Sequence, residues 1–163
     1  MSVSLHEWYV INDGVMGGLS RSTITKTEDG TGLFSGMVSL ENNGGFASIR
    51  TAVVRTSLAG HRGLEIRVRG DGRSYDLRLR LNDRFDGIAY RASFETRAGE
   101  WTTTPILFQE FEPSFRGHIV RDAPPLTPEN IQQIGFLLAD KKPGEFSLEI
   151  DFVRGIPRED EGA

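Results

Sequence analysis

The sequence predicts an all-β fold, a sandwich or barrel of antiparallel strands, and three observations support this. Apolar and polar residues alternate with a period of two over many short segments, which is the pattern of strands with one buried face. Turn-forming pairs that contain Gly separate these segments at intervals suited to a sandwich or a barrel. Helical signals are confined to one short segment.

Four segments alternate most clearly, and each places apolar side chains on one face and charged side chains on the other. They are residues 64–69, 76–81, 90–95 and 146–152. In the last of them, Phe146, Leu148, Ile150 and Phe152 are expected to face the core. Weaker patterns predict further strands near residues 19–26, 33–40, 45–54, 101–108 and 134–139.

Turn and cap signals delimit these elements. The turn pairs are Asp29-Gly30, Gly44-Gly45, Asp71-Gly72, Asp86-Gly87, Ala98-Gly99 and Pro143-Gly144. Asp71-Gly72 is expected to close a tight hairpin between the two strands that flank it. One short helix of one to two turns is predicted near residues 128–134, with Thr127 as its N-cap, Pro128 at its first position and Gly135 at its end.

Two loops rich in Asn and Gly are predicted to be structural. Gly reaches backbone angles that other residues avoid, and Asn and Asp tolerate left-handed geometry. With the turn at Asp71, the residues assigned this role are Asn12, Asp13, Gly14, Gly17, Gly18, Asn42, Asn43, Gly44, Gly45, Asp71 and Gly72. The first loop lacks the Gly-Lys-Ser/Thr ending of a phosphate-binding loop, so nucleotide binding is not expected there.

Composition limits the domain organisation, the partners and the location. At 163 residues the chain is expected to form a single domain, residues 1–157, followed by a polar tail at 158–163. The net charge of −4 and the lack of a long basic run disfavour nucleic-acid binding. No stretch is long and apolar enough for membrane insertion. The absence of a signal or transit peptide leads us to expect a cytoplasmic, bacterial protein.

Catalytic chemistry has little support in the sequence, so no enzyme activity and no catalytic residue are predicted. There is no Cys, no Gly-x-Ser-x-Gly elbow, and no zinc-binding spacing among the three His residues. No cofactor is expected. The alternative is a structural calcium ion, for which Asn12, Asp13 and Asp151 would supply oxygen ligands, with Glu149 as a further candidate.

Arginine dominates the cations, since sixteen of the nineteen Lys and Arg residues are Arg. If neighbouring hairpins pair directly, the charged faces of the strands combine into one surface. Arg is enriched in protein interfaces, so this surface is a candidate for docking a partner. The predicted partner-binding residues are Arg50, Arg67, Arg69, Arg78, Arg80, Arg91 and Arg116. The alternative is a solvated ladder of opposite charges with no partner.

An ordered set of motifs resembles a known family. The motifs lie at residues 8–20, 40–50, 69–75, 115–117, 134–136 and 144–150. Together they are similar to the complex I intermediate-associated protein 30 family over about residues 8–156. The resemblance implies a jelly-roll sandwich of the galactose-binding-like kind and a non-enzymatic, chaperone-like role in assembling respiratory complex I.

The resemblance also implies the class of partner. The expected partner is a protein, a subunit or assembly intermediate of a membrane redox complex. The fold alone suggests an alternative function, a carbohydrate-binding module with a glycan ligand. The charged strand faces carry few aromatic residues for stacking against sugars, which favours the first function.

Overall fold

The fold consists of two antiparallel β-sheets, as the sequence predicts. A computed structural model describes residues 9–12, 21–39, 46–52, 58–81, 88–115, 118–124, 126–138, 140 and 142–157. The strands are β1 (Tyr9–Asn12), β2 (Arg21–Lys26), β3 (Gly32–Val38), β4 (Ala47–Ala52), β5 (His61–Arg69), β6 (Ser74–Arg80), β7 (Ala89–Glu95), β8 (Trp101–Leu107), β9 (Glu112–Phe115), β10 (His118–Ile119), β11 (Gln133–Leu138) and β12 (Gly144–Pro157).

The strand order interleaves distant parts of the chain. One sheet has seven strands in the order β1-β4-β11-β6-β7-β9-β10, and the other has five in the order β2-β3-β12-β5-β8. The two late strands, β11 and β12, therefore lie inside the sheets, each between strands from the first half of the chain. Long-range pairing of this kind fixes which residues share a face.

The core lies between the sheets and is made by the apolar side of each strand. The alternation predicted for residues 64–69, 76–81 and 90–95 is confirmed, because their large apolar and aromatic residues face inward. The fully buried side chains include Phe34, Ile49, Leu64, Ile66, Tyr75, Leu77, Leu79, Ile134, Phe136 and Leu138. Burial of each such side chain stabilises the fold by about 1.5–3 kcal/mol. The charged residues of the same strands are left on the two outer faces.

The predicted hairpin at Asp71-Gly72 is wrong. β5 pairs with β12 and β8, whereas β6 pairs with β11 and β7, so the segment between them crosses from one sheet to the other. Gly72 does have a positive φ of 93°. Gly70 packs against Thr96 so closely that a Cβ at position 70 would lie 2.2 Å from the Cβ of Thr96. A sharp turn therefore exists, but it serves a crossover.

The predicted helix is shorter than expected. It is a single 3₁₀ turn at Pro128–Asn130, and the Thr127 side chain makes no capping hydrogen bond. β11 already begins at Gln133, so Gly135 lies in the middle of a strand rather than at a helix end. Residues 133–137 are hydrogen-bonded on both sides, to β4 and to β6, and so short a helix has little stability of its own.

The alternation in β12 shifts by one residue. A β-bulge lies between Ile150 and Phe152, and beyond it Val153 is buried. Phe152 is half-buried, and its ring lies 3.5 Å from the Arg154 guanidinium, so the expectation that Phe152 faces the core is wrong. The extra residue in a bulge moves every later side chain to the opposite face.

Several expectations fall outside the described residues. One is the loop with Asp13, Gly14, Gly17 and Gly18, and another is the loop with Asn42, Asn43, Gly44 and Gly45. The predicted partner-binding residue Arg116 also lies outside the described residues. The domain limits, residues 1–157 with a tail at 158–163, stay a prediction. Within the described ranges, no helix has the length and apolar character needed to cross a membrane.

Candidate functional site

One line of residues crosses the outer face of the seven-stranded sheet at right angles to the strands. Arg50 on β4 pairs with Gly135 on β11, Gly135 pairs with Arg78 on β6, and Arg78 pairs with Arg91 on β7. We call these four residues the arginine row. Arg80 lies on the same face, two residues along β6 from Arg78. Four of the predicted partner-binding arginines are thus brought together.

Gly135 lies in the middle of the arginine row, where neighbouring atoms take up the space of a side chain. A Cβ at this position would lie 2.7 Å from the backbone oxygen of Ile49 and 3.3 Å from Cγ of Arg50. A side chain is therefore excluded, as is common where a strand Gly allows close approach. Beside Gly135 lies a small cavity of about 10 Å³, lined by Arg50, Arg78, Arg80 and neighbouring residues of β4 and β11.

Positive charge on this face is partly removed from water. Arg50 and Arg80 are 7% and 5% exposed, and Arg78 is half-buried. Burial first, and then the charges of Arg50 and Arg91, lower the pKa of Arg78 to about 10, although Asp76 acts in the opposite direction. Arg78 remains charged at neutral pH. Within the described ranges, no carboxylate forms a salt bridge with it.

Acidic groups border the arginine row on one side. A broader depression is lined by Asp76, Arg91, Ser93, Glu110, Glu112 and Asp140. The Ser93 hydroxyl donates a hydrogen bond of 2.6 Å to Asp76. Glu112 is the strand partner of Arg91. The outer face of the seven-stranded sheet therefore changes from positive around Arg78 to negative around Glu112.

The outer face of the five-stranded sheet carries a different arrangement, a ladder of ion pairs. Its three pairs are Arg69–Glu149 at 2.5 Å, Arg67–Asp151 at 2.9 Å and Arg154–Glu65 at 4.0 Å. We call these six residues the ion-pair ladder. Each pair joins opposite charges on β5 and β12; whether this face also binds a partner stays a prediction.

Glu149 is the buried end of the ladder. It is 8% exposed and accepts hydrogen bonds from the Thr31 hydroxyl at 2.6 Å and from Arg69. Burial acts to raise the pKa of this carboxyl, but the hydrogen bonds from Thr31 and Arg69, together with the charge of Arg69, lower it below its usual value. The carboxylate is thus held ionised by its neighbours.

The aromatic residues are engaged within the protein. Trp101 is half-buried, and the guanidinium groups of Arg67 and Arg69 lie 4.4 and 5.1 Å from its ring centroid. Tyr75 and Tyr90 are 1% and 3% exposed. These three positions do not form a stacking platform of the kind that binds sugars.

The crossover motif at residues 69–75 is structural. The Asp71 carboxylate accepts hydrogen bonds from the backbone N–H of Ser147 at 2.8 Å and of Arg73 at 3.0 Å, and from the Tyr75 hydroxyl. Arg73 donates to both oxygens of Asp140, at 2.9 and 2.6 Å. These bonds fasten the crossover to the start of β12 and to the segment before it. Sequence reasoning missed this pairing, since nothing local links Arg73 to a residue 67 positions away.

The predicted site residues are divided between two surfaces. Arg67 and Arg69 belong to the ion-pair ladder, whereas Arg50, Arg78, Arg80 and Arg91 lie on the seven-stranded sheet. The expectation of one shared face is therefore wrong, because it depended on the hairpin at Asp71-Gly72. The role of Gly135 was also missed. The signal was a single Gly inside the apolar run Ile134 to Leu138.

The proposed calcium ligands lie on different sheets. Asn12 ends β1 in the seven-stranded sheet, and Asp151 sits at the β12 bulge, where its carboxylate accepts a hydrogen bond from Arg67. Asp13 is outside the described residues. Among the side chains that the structure describes, no group of three or more His, Asp or Glu residues is arranged to hold a metal ion. Calcium binding stays a prediction.

Fold comparison defines the class of the protein. The sandwich is similar to a family 11 carbohydrate-binding module of a cellulosomal cellulase from Clostridium thermocellum, with a TM-score of 0.68 and 16% identity. The match covers 93% of this chain and 88% of the other. At that identity the similarity shows a shared jelly-roll fold and gives no information about the ligand.

Sequence comparison gives the family. The model of the complex I intermediate-associated protein 30 family matches residues 1–150. The mitochondrial complex I intermediate-associated protein 30 of Drosophila melanogaster is 35% identical over 91% of this chain and 58% of its own length. The mouse protein of that name is 29% identical over 91% of this chain and 52% of its own length. The chain belongs to this family, as its motifs suggested, and it spans about half the length of these relatives.

The relatives also correct the predicted location. The sequence led us to expect a cytoplasmic, bacterial protein. That prediction is contradicted, because four of the relatives are animal proteins named as mitochondrial. The prediction had relied on the first residues of this sequence, which do not determine where the protein acts.

Proposed function

We propose that this domain is a non-catalytic protein-binding module that acts in the assembly of respiratory complex I. Family membership across residues 1–150 is the observation that carries the proposal, together with the names of the relatives. The proposed partner is a subunit or assembly intermediate of the complex, and the proposed role is chaperone-like.

The pKa values of two carboxyl groups that pair with arginine support a role without catalysis. Asp140 and Glu149 both have a pKa below the usual value, and in each case an arginine that is hydrogen-bonded to the carboxylate contributes to the shift. A general acid at neutral pH needs the opposite, a carboxyl whose pKa is raised. The hydrogen bonds from Arg73 to Asp140 and from Arg69 to Glu149 therefore indicate that both carboxylates stabilise the fold.

A chimera tests the proposed function directly. This chain would replace the matching part of the Drosophila protein in fly cells that lack the endogenous protein. Mature complex I would be measured by native gel electrophoresis and by NADH oxidation. We expect the chimera to restore assembly, while the fly protein without that part does not. A stable chimera that reaches mitochondria and restores nothing would contradict the proposal.

The second candidate function is carbohydrate binding, and one observation favours it, the fold shared with the family 11 module. The aromatic arrangement argues against it, since the Trp101 ring already contacts Arg67 and Arg69. Calorimetric titration with mixed-linked β-glucan oligosaccharides discriminates the two. We expect no heat of binding. Saturable binding that is lost in Trp101→Ala would favour the carbohydrate-binding function.

A further inference from the structure

We propose that a trough on the outer face of the five-stranded sheet binds an extended segment of the protein partner that carries a lysine side chain. The proposal rests on the proposed function, because it takes the partner to be a protein. It adds the place of contact and its chemistry. The Glu145 carboxylate receives the lysine ammonium group, and Met37 packs against the aliphatic stem.

The floor of the trough is a row of small hydroxyl side chains. β2, β3 and β12 lie side by side, and the register pairs Thr23 with Ser35 and Ser35 with Ser147. Their neighbours Phe34 and Leu148 are buried, so the hydroxyls point to the outer face. Adjacent strands are about 4.8 Å apart, which makes the row about 10 Å long. Because these side chains are small, a broad depression of about 680 Å³ remains above them.

One wall of the trough combines an apolar and an acidic side chain. Met37 and Glu145 are strand partners, each two residues along its strand from the hydroxyl row. Met37 is 46% exposed, and Glu145 is exposed as well. Met is unbranched and flexible, so it adapts to the stem of a long side chain. A lysine stem can therefore lie along Met37 while its ammonium group reaches Glu145. We call the five residues of the floor and this wall the hydroxyl trough.

The charge of the depression favours a cation. Among the described residues that line it, Asp71 and Glu145 are acidic and none is Lys or Arg. The Asp71 carboxylate already accepts hydrogen bonds from three groups of the protein, so it adds negative charge without needing a partner. Glu145 differs, since none of the salt bridges between described residues includes it. Each carboxylate of the neighbouring ion-pair ladder, in contrast, is matched by an arginine.

The lining suits a peptide better than a sugar. The aromatic residue at the depression is Phe146, which is 4% exposed and packs edge-on against Phe34 with ring centroids 4.9 Å apart. It therefore offers no face for stacking against a sugar ring. The three hydroxyls make no hydrogen bond to other described residues, and each can donate to a main-chain carbonyl or accept from a main-chain N–H. The volume lies within the range of about 300–1,000 Å³ that is typical of binding pockets.

The first experiment measures cation binding with defined probes. The purified 163-residue chain would be titrated with hexalysine, with hexalysine acetylated on its side-chain amines, with spermidine and with a mixed-linked β-glucan tetrasaccharide. The readouts are calorimetry and the NMR signal of the Met37 methyl group, which Met37→Leu identifies among the three Met residues. We expect hexalysine to bind, to shift the Met37 signal, and to bind more weakly as salt is raised. The acetylated peptide should bind at least tenfold more weakly.

Matched substitutions locate the site. Glu145→Gln should weaken hexalysine binding by about five- to tenfold, the loss expected for one charged hydrogen bond at a partly solvated place. Glu112→Gln removes an equal charge from the acidic depression on the other sheet and should leave the affinity within about twofold. Ser35→Leu fills the floor without changing any charge and should weaken binding at least as much as Glu145→Gln. Thermal melting ensures that folded proteins are compared, and Thr23→Leu replaces Ser35→Leu if that variant does not fold.

The outcomes separate this inference from the proposed function. Preferred binding of spermidine or of the tetrasaccharide, equal losses in Glu145→Gln and Glu112→Gln, an unchanged Met37 signal, or no binding of hexalysine would each overturn the inference. In the fly chimera, normal complex I assembly with Glu145→Lys and Ser35→Leu combined would overturn the inference and leave the proposed function intact. A chimera that fails to restore assembly, while the purified chain still binds hexalysine through Glu145, would contradict only the proposed function.

Discussion

The two outer faces of the sandwich carry similar arginine patterns and have opposite electrostatic outcomes. On the five-stranded sheet, Arg67 and Arg69 each meet a carboxylate within 3 Å. On the seven-stranded sheet, Arg78 meets Gly135 on one side and Arg91 on the other. An arginine-rich strand therefore does not define a binding face by itself. The strand paired with it decides whether its charges are matched within the protein.

The difference originates in the two late strands. β12 presents Glu149 opposite Arg69 and places Asp151 in a bulge within reach of Arg67. β11 occupies the corresponding central place in the other sheet but is apolar around Gly135, with no acidic residue among Gln133–Leu138. The ladder is thus built from strands of opposite charge, whereas in the arginine row the uncharged β11 lies between the arginines of β4 and β6.

The largest effect is expected from adding a side chain at Gly135. In Gly135→Ala the new Cβ would lie 2.7 Å from the Ile49 backbone oxygen, which can move only if the sheet is distorted. We expect a loss of about 2–3 kcal/mol in the free energy of unfolding, measured by urea titration.

A control separates this clash from the general cost of an added methyl group. Gly30 has a positive φ of 83° but open space around it, so Gly30→Ala should cost about 1 kcal/mol through backbone strain alone. Equal losses in Gly135→Ala and Gly30→Ala would contradict the close approach between β11 and β4.

The next effect comes from removing one arginine from each face. Arg69→Gln leaves the Glu149 carboxylate, 8% exposed, with Thr31 as its remaining hydrogen-bond donor among those described. We expect a loss of about 1 kcal/mol, because the half-exposed Arg69 side chain allows water to replace part of the interaction. Arg78→Gln relieves repulsion from Arg50 and Arg91, so the free energy of unfolding should stay unchanged or rise.

Urea titration of the two variants under identical conditions tests this contrast. A loss for Arg78→Gln as large as that for Arg69→Gln would mean that Arg78 is compensated within the protein. The arginine row would then be a second structural network, comparable to the ion-pair ladder.

The sequence alone predicted which segments form strands, but it did not predict which charged residues share an outer face of the sandwich. Period-two alternation identified β5, β6 and β7 and their buried residues, because inward orientation follows from local pattern alone. Asp71-Gly72 has the same local chemistry in a hairpin and in a crossover, and the choice depends on pairing with β11 and β12, more than 60 residues away. The bulge before Phe152 and the pairing of Arg73 with Asp140 are likewise consequences of tertiary contacts.

A smaller effect concerns the pH dependence of the ladder. The pKa of Glu149 is lower in the folded state than its ordinary value of 4.5, so this group stabilises the fold above that pH and loses its contribution as pH falls through the folded pKa. The free energy of unfolding of the wild type should therefore fall between about pH 6 and about pH 3, and it should fall less in Glu149→Gln.

Urea titrations at both pH values measure this difference. Thr31→Val removes the hydroxyl that donates to Glu149 and should give an intermediate pH dependence. An identical pH dependence in wild type and Glu149→Gln would show that the ladder gains nothing from ionisation of this carboxyl.

The smallest effect is expected at the exposed end of the ladder. Arg154 and Glu65 are separated by 4.0 Å, with side chains that are 47% and 35% exposed, so water and salt screen their attraction. Arg154→Gln should change the free energy of unfolding by less than about 0.5 kcal/mol, with little dependence on salt.

Arg154→Ala should cost somewhat more, because it also uncovers the Phe152 ring under the guanidinium. Equal values for the two variants would show that the stem and the ring contact contribute nothing. A loss for Arg154→Gln as large as that for Arg69→Gln would mean that burial does not determine the strength of the pairs on this face. The contrast between Arg69 and Arg78 would then need another cause.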